Sequence, residues 1–243
     1  MPKAKAQANA RPAALWDKYL RESRDFATGF LFILPLLIGY EVGLVLLRSE
    51  RINWAQGIIG LVFGLFGAAE PFVFAGLIAC LVVLALQRVE HFRIDAELYG
   101  LMLLESFVYA CALGLVCSYV VQRLPLGAAG RGGTLAEDVV LSVGAGVYEE
   151  VLFRVLLMGA MHYSLRHWVK MRPGLAAFVS IVGSSLAFAA CHHLGPYGDP
   201  VQAPLVAYRS LMGVLFAAIF IYRGLGIVVY THALYDILVT VSR

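Results

Sequence analysis

The stretch FATGFLFILPLLIGYEVGLVLL, residues 26–47, decides the fold. It carries one charged side chain, Glu41, and a helix needs about 20 mostly apolar residues to cross the hydrocarbon core of a bilayer. The apolar centre of a cleaved export signal is only about 7–15 residues long, so this run reads as a retained first span. The segment before it is polar and basic, with Lys3, Lys5, Arg11, Lys18, Arg21 and Arg24.

Reading outward, further spans are expected at 71–87, 97–121, 136–161, 175–193, 204–222 and 224–241. Residues 54–69, WAQGIIGLVFGLFGAA, are apolar but short, and three readings stay open: an eighth span, a re-entrant segment or an interfacial helix. Nothing alternates over the ten or so residues of a membrane β-strand. The expected fold is therefore all-α, a polytopic transmembrane helix bundle of seven or eight spans. Residues 1–25 are expected to form a basic cytoplasmic tail, and 26–243 a single transmembrane domain with its chemistry in 136–243.

Composition agrees. The chain is 60% hydrophobic and 14% charged, against about 25% charged in a soluble domain, so the bilayer has to serve as solvent. A net charge of +3 gives no footprint for nucleic acid. With seven spans, Arg88, Arg93, Arg166, Lys170, Arg172 and Arg223 fall on the side of the N-terminus, which predicts that side to be cytoplasmic. Cys80, Cys111, Cys117 and Cys191 lie in apolar segments without a CxxC pair and read as small core or lipid-facing residues. The pairs Gly39/Gly43 and Gly60/Gly64 read as close helix contacts.

A charge near the bilayer centre costs at least about 2.5–3.5 kcal/mol, so each one needs a reason. The candidates are Glu41, Glu105, Glu149, Glu150, Arg154, His192, His193, Arg209, His232 and Asp236, most of them in the C-terminal half. Glu150 and Arg154 are four apart and share a helix face, where they can pair. Glu149 is turned from Glu150 by about 100° on an α-helix and needs a partner from another helix. His232 and Asp236 also share a face, and a carboxylate can fix the tautomer of an imidazole. Each feature has a plain structural reading: Glu150–Arg154 as a clamp, His193 as a helix-end residue, Glu41 and Glu105 as interhelical hydrogen-bond partners. Together they offer a base to activate water and donors to hold an oxyanion, which is hydrolysis. Inside a membrane the available carbonyl is a peptide bond.

At these residues the chain resembles the CAAX-protease and bacteriocin-processing family of intramembrane glutamic endopeptidases. That family carries EExxxR, then FxxxH, then a histidine followed four residues on by Asn or Asp. The matches here are Glu149-Glu150-x-x-x-Arg154, Phe188-x-x-x-His192 and His232-x-x-x-Asp236, in order. The resemblance implies that Glu149 activates water with help from His192. It also implies that His232 and Asp236 form the oxyanion site, while Glu150 and Arg154 hold the helices. Asp236 stands where prenyl-processing members carry Asn, and an ionised Asp cannot donate a hydrogen bond, so it is expected to orient His232. His193 follows His192 directly, and the spacing from Phe188 selects His192.

The implied substrate is a membrane-anchored peptide or protein tail, the implied location a bacterial inner membrane, and no cofactor is expected. A zinc protease is the enzyme alternative, since Glu149, His192, His232 and Asp236 are all acceptable ligands, although there is no HExxH. A proton-coupled transporter and a non-catalytic scaffold or immunity protein are the alternatives from other classes. No internal repeat favours the transporter. The sequence carries no signal of oligomeric state.

Overall fold

The computed structural model describes residues 16–88, 95–121, 133–194, 198 and 200–242, and among these there are helices and no strands. Of the basic residues named above, Lys3, Lys5, Arg11 and Arg93 lie outside the described residues. Helix α1 covers 16–24, and α2 is Phe26–Leu47, capped by the Asp25 carboxylate, which accepts the Thr28 N–H at 2.8 Å. A short loop follows, then α3, Trp54–Phe63, a 3₁₀ stretch, Gly64–Ala69, and α4, Glu70–Arg88. Helix α5 is Ala96–Val121. From Leu135 to His167 the chain is helical without a break: α6 is Leu135–Gly144, two π-wound stretches are Ala145–Glu149 and Val151–Met158, and α7 is Gly159–His167. Helices α8 (Pro173–Cys191), α9 (Ala203–Arg223) and α10 (Leu225–Val241) complete the bundle.

Among the described residues, five helical stretches are long and apolar enough to cross a membrane, and the overall architecture is the expected helical membrane bundle. The short apolar segment 54–69 is a ten-residue α-helix, about 15 Å long, too short to cross by itself. It runs into α4 through a 3₁₀ turn in which Gly67 takes φ 55° and ψ −130°, a backbone that glycine alone adopts cheaply. Leu65 and Phe72 around this kink are 86% and 80% exposed, a surface suited to lipid. Helix α10 is short for a span, but α2, α5, α6 and α9 surround it, so it meets protein rather than lipid.

Of the four paired glycines, one marks a close helix approach. A Cβ at Gly39, Gly60 or Gly64 would meet nothing within 4 Å, and of those positions only Gly43 is crowded, by Val140. The tight crossings centre on α10: Gly29 faces Gly226, and Gly146 lies on the Ala233 and Val229 backbone. Small-xxx-small spacing marks where helices are able to approach, whereas the turn of each helix decides whether they do. All four cysteines are free thiols, and Cys117 accepts the Tyr235 hydroxyl at 2.9 Å, joining α5 to α10.

At the other end of α10 lies a second polar knot. Arg223 donates from Nε to Glu105 Oε1 at 2.5 Å and from Nη2 to Glu105 Oε2 at 2.7 Å. It also reaches Ser23 on α1 at 3.0 Å, and Tyr19 bonds the same carboxylate. Glu105 is therefore the interhelical partner expected of it. Gly224, at φ 84°, ends α9 and starts α10 against the Arg24 backbone.

Gly146→Ala places its methyl 2.7 Å from the Val229 carbonyl and should lower stability in detergent by about 1–3 kcal/mol. Gly60→Ala faces open space and should leave the melting temperature unchanged or slightly raised. Thermal melts of the two variants check the opposite signs.

Candidate active site

The functional candidates converge on the π-wound part of the α6–α7 helix. A π turn closes i→i+5 rather than i→i+4, so the 3.6-residue wheel does not apply across 145–158. Both glutamates are buried there, at the faces of α8 and α10.

Glu150 is the structural centre. Its Oε1 accepts from His232 Nδ1 at 2.7 Å, and its Oε2 lies 3.1 Å from Arg154 Nε. The pairing expected from the four-residue spacing is present, and both partners are fully buried. The Arg154 guanidinium sits 5.0 Å from the centroid of Phe188 and 6.0 Å from that of Phe216, so its charge rests on aromatic faces as well as on a carboxylate. Phe216 in turn stacks on the His232 ring at 4.2 Å and 17°.

This corrects one reading of the sequence. His232 is oriented at Nδ1 by Glu150 from another helix, not by Asp236 one turn away. Asp236 Oδ2 instead lies 3.6 Å from His232 Nε2, the opposite ring nitrogen. An i,i+4 pair can only meet along its own helix, and the shorter, more buried contact comes across the α6–α10 crossing that Gly146 permits.

Glu149 Oε1 accepts from Asn53 Nδ2 at 2.9 Å. Its Oε2 faces His192 Nε2 at 3.8 Å and His232 Nε2 at 3.9 Å. Both distances are too long for direct hydrogen bonds. His192 caps α8, and its Nδ1 bonds the Phe188 carbonyl at 2.7 Å. A carbonyl only accepts, so Nδ1 carries the hydrogen and Nε2 of the neutral ring presents a lone pair towards Glu149. Phe188 thus serves twice, by its carbonyl for His192 and by its ring for Arg154.

His193 follows in the same turn, its backbone N–H on the Ala190 carbonyl, while the contact to Glu149 belongs to His192. Arg209 of α9 is near enough to act electrostatically on Glu149 and His192. Asp236, with 29% of its side chain exposed, forms the open edge of the site. Among the described residues no group of three His, Cys, Asp or Glu side chains has metal-holding geometry.

Asn53 is the contact that the sequence did not suggest. Its only signal is an Asn directly before an apolar run, the pattern of a helix N-cap. Its position against Glu149 depends on how the 48–53 loop folds, which no local pattern encodes. Glu41 was read as an interhelical partner, and it accepts the Tyr148 hydroxyl at 2.5 Å.

Residues 132–238 match the family described as type II CAAX prenyl endopeptidase Rce1-like. The match runs from just before α6 almost to the end of α10 and includes every residue of the site except Asn53. No curated protein and no solved structure matches the chain.

Arg154→Met leaves Glu150 buried without its cation and should destabilise the protein by about 3–5 kcal/mol. Adding Glu150→Gln removes the orphaned charge while keeping an oxygen for His232, and should recover part of that loss. Equal instability in the single and double variants, measured by unfolding in detergent, would disprove the charge-pair account.

Proposed function

We propose that this protein, which over residues 132–238 matches the Rce1-like CAAX endopeptidase family, hydrolyses a peptide bond inside the membrane with water activated by Glu149 and His192. The match to that family, together with five apolar helical stretches among the described residues, supports a membrane endopeptidase. The observation that carries the finer reading is the convergence of Glu149 Oε2, His192 Nε2 and His232 Nε2 from three separate helices, at 3.8–3.9 Å from the carboxylate oxygen.

In this reading a water bound between Glu149 Oε2 and the His192 Nε2 lone pair attacks the scissile carbonyl carbon. Its proton passes to Glu149 as the C–O bond forms. Three carboxylates, Glu149, Glu150 and Asp236, face His232, and they favour a ring protonated on both nitrogens. Nδ1–H is then held by Glu150, and Nε2–H donates to the oxygen of the tetrahedral intermediate. Asp236 supports that charge from the open edge, which suits an ionised Asp better than the donor role an Asn would fill. The C–N bond breaks as the proton on Glu149 moves to the leaving amine.

The substrate class that fits is a membrane-anchored peptide or protein tail, entering beside Asp236. No cofactor takes part in this scheme. The N-terminus is cytoplasmic in it, following the basic residues of the short loops.

The test is cleavage of a mixed library of quenched fluorescent peptides by the purified, detergent-solubilised protein. Wild type and Glu149→Ala run side by side, each with and without a strong chelator. Activity that survives chelation and falls at least about a hundredfold in the variant is expected, the scale of a lost general base. Activity abolished by the chelator and restored by zinc would replace this mechanism with a metal-dependent one.

A further inference from the structure

Asn53 lies outside the family match, in the loop between α2 and α3, yet its side chain touches Glu149. Its amide has only one possible orientation. Oδ1 accepts the Ala55 N–H at 2.8 Å as the N-cap of α3, so the atom turned towards Glu149 Oε1 is the donor Nδ2. The cap requires the oxygen alone. The bond to Glu149 is additional to it.

The loop is fixed at this depth by contacts on both sides. Arg51 donates to Asp138 of α6 at 3.2 Å. The Asn53 backbone N–H donates to the Tyr40 hydroxyl at 3.1 Å, and Tyr40 is fully buried on α2. Tyr40 donates to Gln56 at 2.5 Å, Gln56 donates to Glu41 at 3.4 Å, and Tyr148 donates to the same Glu41 oxygen at 2.5 Å. Tyr148 immediately precedes Glu149. The hydrogen bonds therefore close a ring that leaves the π-wound stretch at Tyr148, crosses α2 and α3, and returns to that stretch at Glu149. A ring of this kind fixes where Asn53 stands relative to the carboxylate.

A free carboxylate can exchange its two oxygens by rotation. With Oε1 occupied by Asn53, only Oε2 is presented to His192 and His232. We propose that Asn53 is a positioning residue for the hydrolysis, holding Glu149 Oε1 so that Oε2 alone takes the proton from water. This rests on the reading of Glu149 as the base. It assigns part of the reacting geometry to the N-terminal half of the chain.

The test uses two substitutions that keep the cap and remove the donor. Asn53→Ser is neutral, whereas Asn53→Asp sets a second carboxylate beside Glu149. Other charged or titratable groups around Glu149 are Glu150 and Arg154 on its own helix, Cys191 and His192 at the end of α8, Arg209 on α9, and His232 and Asp236 on α10; both variants retain all of them. A carboxylate neighbour disfavours ionisation of Glu149.

Two measurements run on wild type, both Asn53 variants and Glu149→Ala, with thermal melts as the control for folding. The first is kcat and KM for the best library peptide across pH. The second needs no substrate: labelling of Glu149 by a hydrophobic carbodiimide, which modifies protonated buried carboxyls, followed by mass spectrometry across pH. Melting temperatures near wild type are expected in both Asn53 variants. Asn53→Ser should lose about 10- to 100-fold in kcat with little change in KM, the scale of one hydrogen bond to a charged group. Asn53→Asp should move both the acid limb of kcat and the labelling midpoint to higher pH by about one unit or more.

Labelling midpoints and pH profiles that superimpose on wild type in both variants would overturn the proposal and leave Asn53 a helix cap only. Undiminished cleavage by Glu149→Ala would overturn the parent reading instead, a result the labelling curves cannot mimic.

Discussion

Glu150 holds His232 through one oxygen and Arg154 through the other, and all three are buried. A fully buried carboxylate needs both oxygens satisfied by charge or by hydrogen-bond donors, and this one does so with a partner on its own helix and a partner on the last. The first contact makes the α6–α7 helix tolerable in the membrane. The second brings α10 against it and sets the His232 ring. Phe188 and Phe216 then pack on Arg154, which draws α8 and α9 to the same place. The position of His192 follows, because its Nδ1 is fastened to the Phe188 carbonyl. Removal of Glu150 would leave Arg154 without its carboxylate and His232 Nδ1 without its partner.

What could be read from the chain beforehand was what depends on composition and short spacing. The long apolar runs gave the membrane bundle, and four-residue separation gave the Glu150–Arg154 pair. The three motifs brought Glu149, His192 and His232 together in expectation, and the structure sets them within 3.9 Å of one another's reacting atoms through Glu149. The wheel also turned Glu149 away from Glu150 towards partners on other elements, and Asn53, His192 and His232 are those partners. The π winding of 145–158 leaves no signature in residue type. The failures lie in contacts between elements. His232 was assigned the nearest carboxylate in sequence, although the nearest in space belongs to another helix. Asn53 was missed because a loop has to fold back along α2 before it meets anything.

The two halves of the chain contribute in different ways. The matched segment supplies every group that would carry charge in the reaction, while the part of the chain before it supplies an amide donor to Glu149 from Asn53 and a carboxylate, Glu41, that accepts the Tyr148 hydroxyl. Support is needed at both ends of α10. Gly146 allows its close crossing with α6 beside the site, and the Glu105–Arg223 knot with Ser23 and Tyr19 fastens the turn from which it starts. A helix surrounded on four sides has little freedom to shift, which suits a ring that must keep its Nε2 near Glu149.

The placement of Glu150 and Arg154 four residues apart on one helix also bears on how the chain is made. Residues 135–167 leave the ribosome long before His232 exists, so Glu150 must enter the membrane without the partner it has in the finished fold. Arg154 is already beside it, and the two can enter as a neutral pair. Asn53 has also been synthesised by then, ready for Glu149. The last helix arrives to find its carboxylate waiting, and the site is complete only once His232 has joined Glu150.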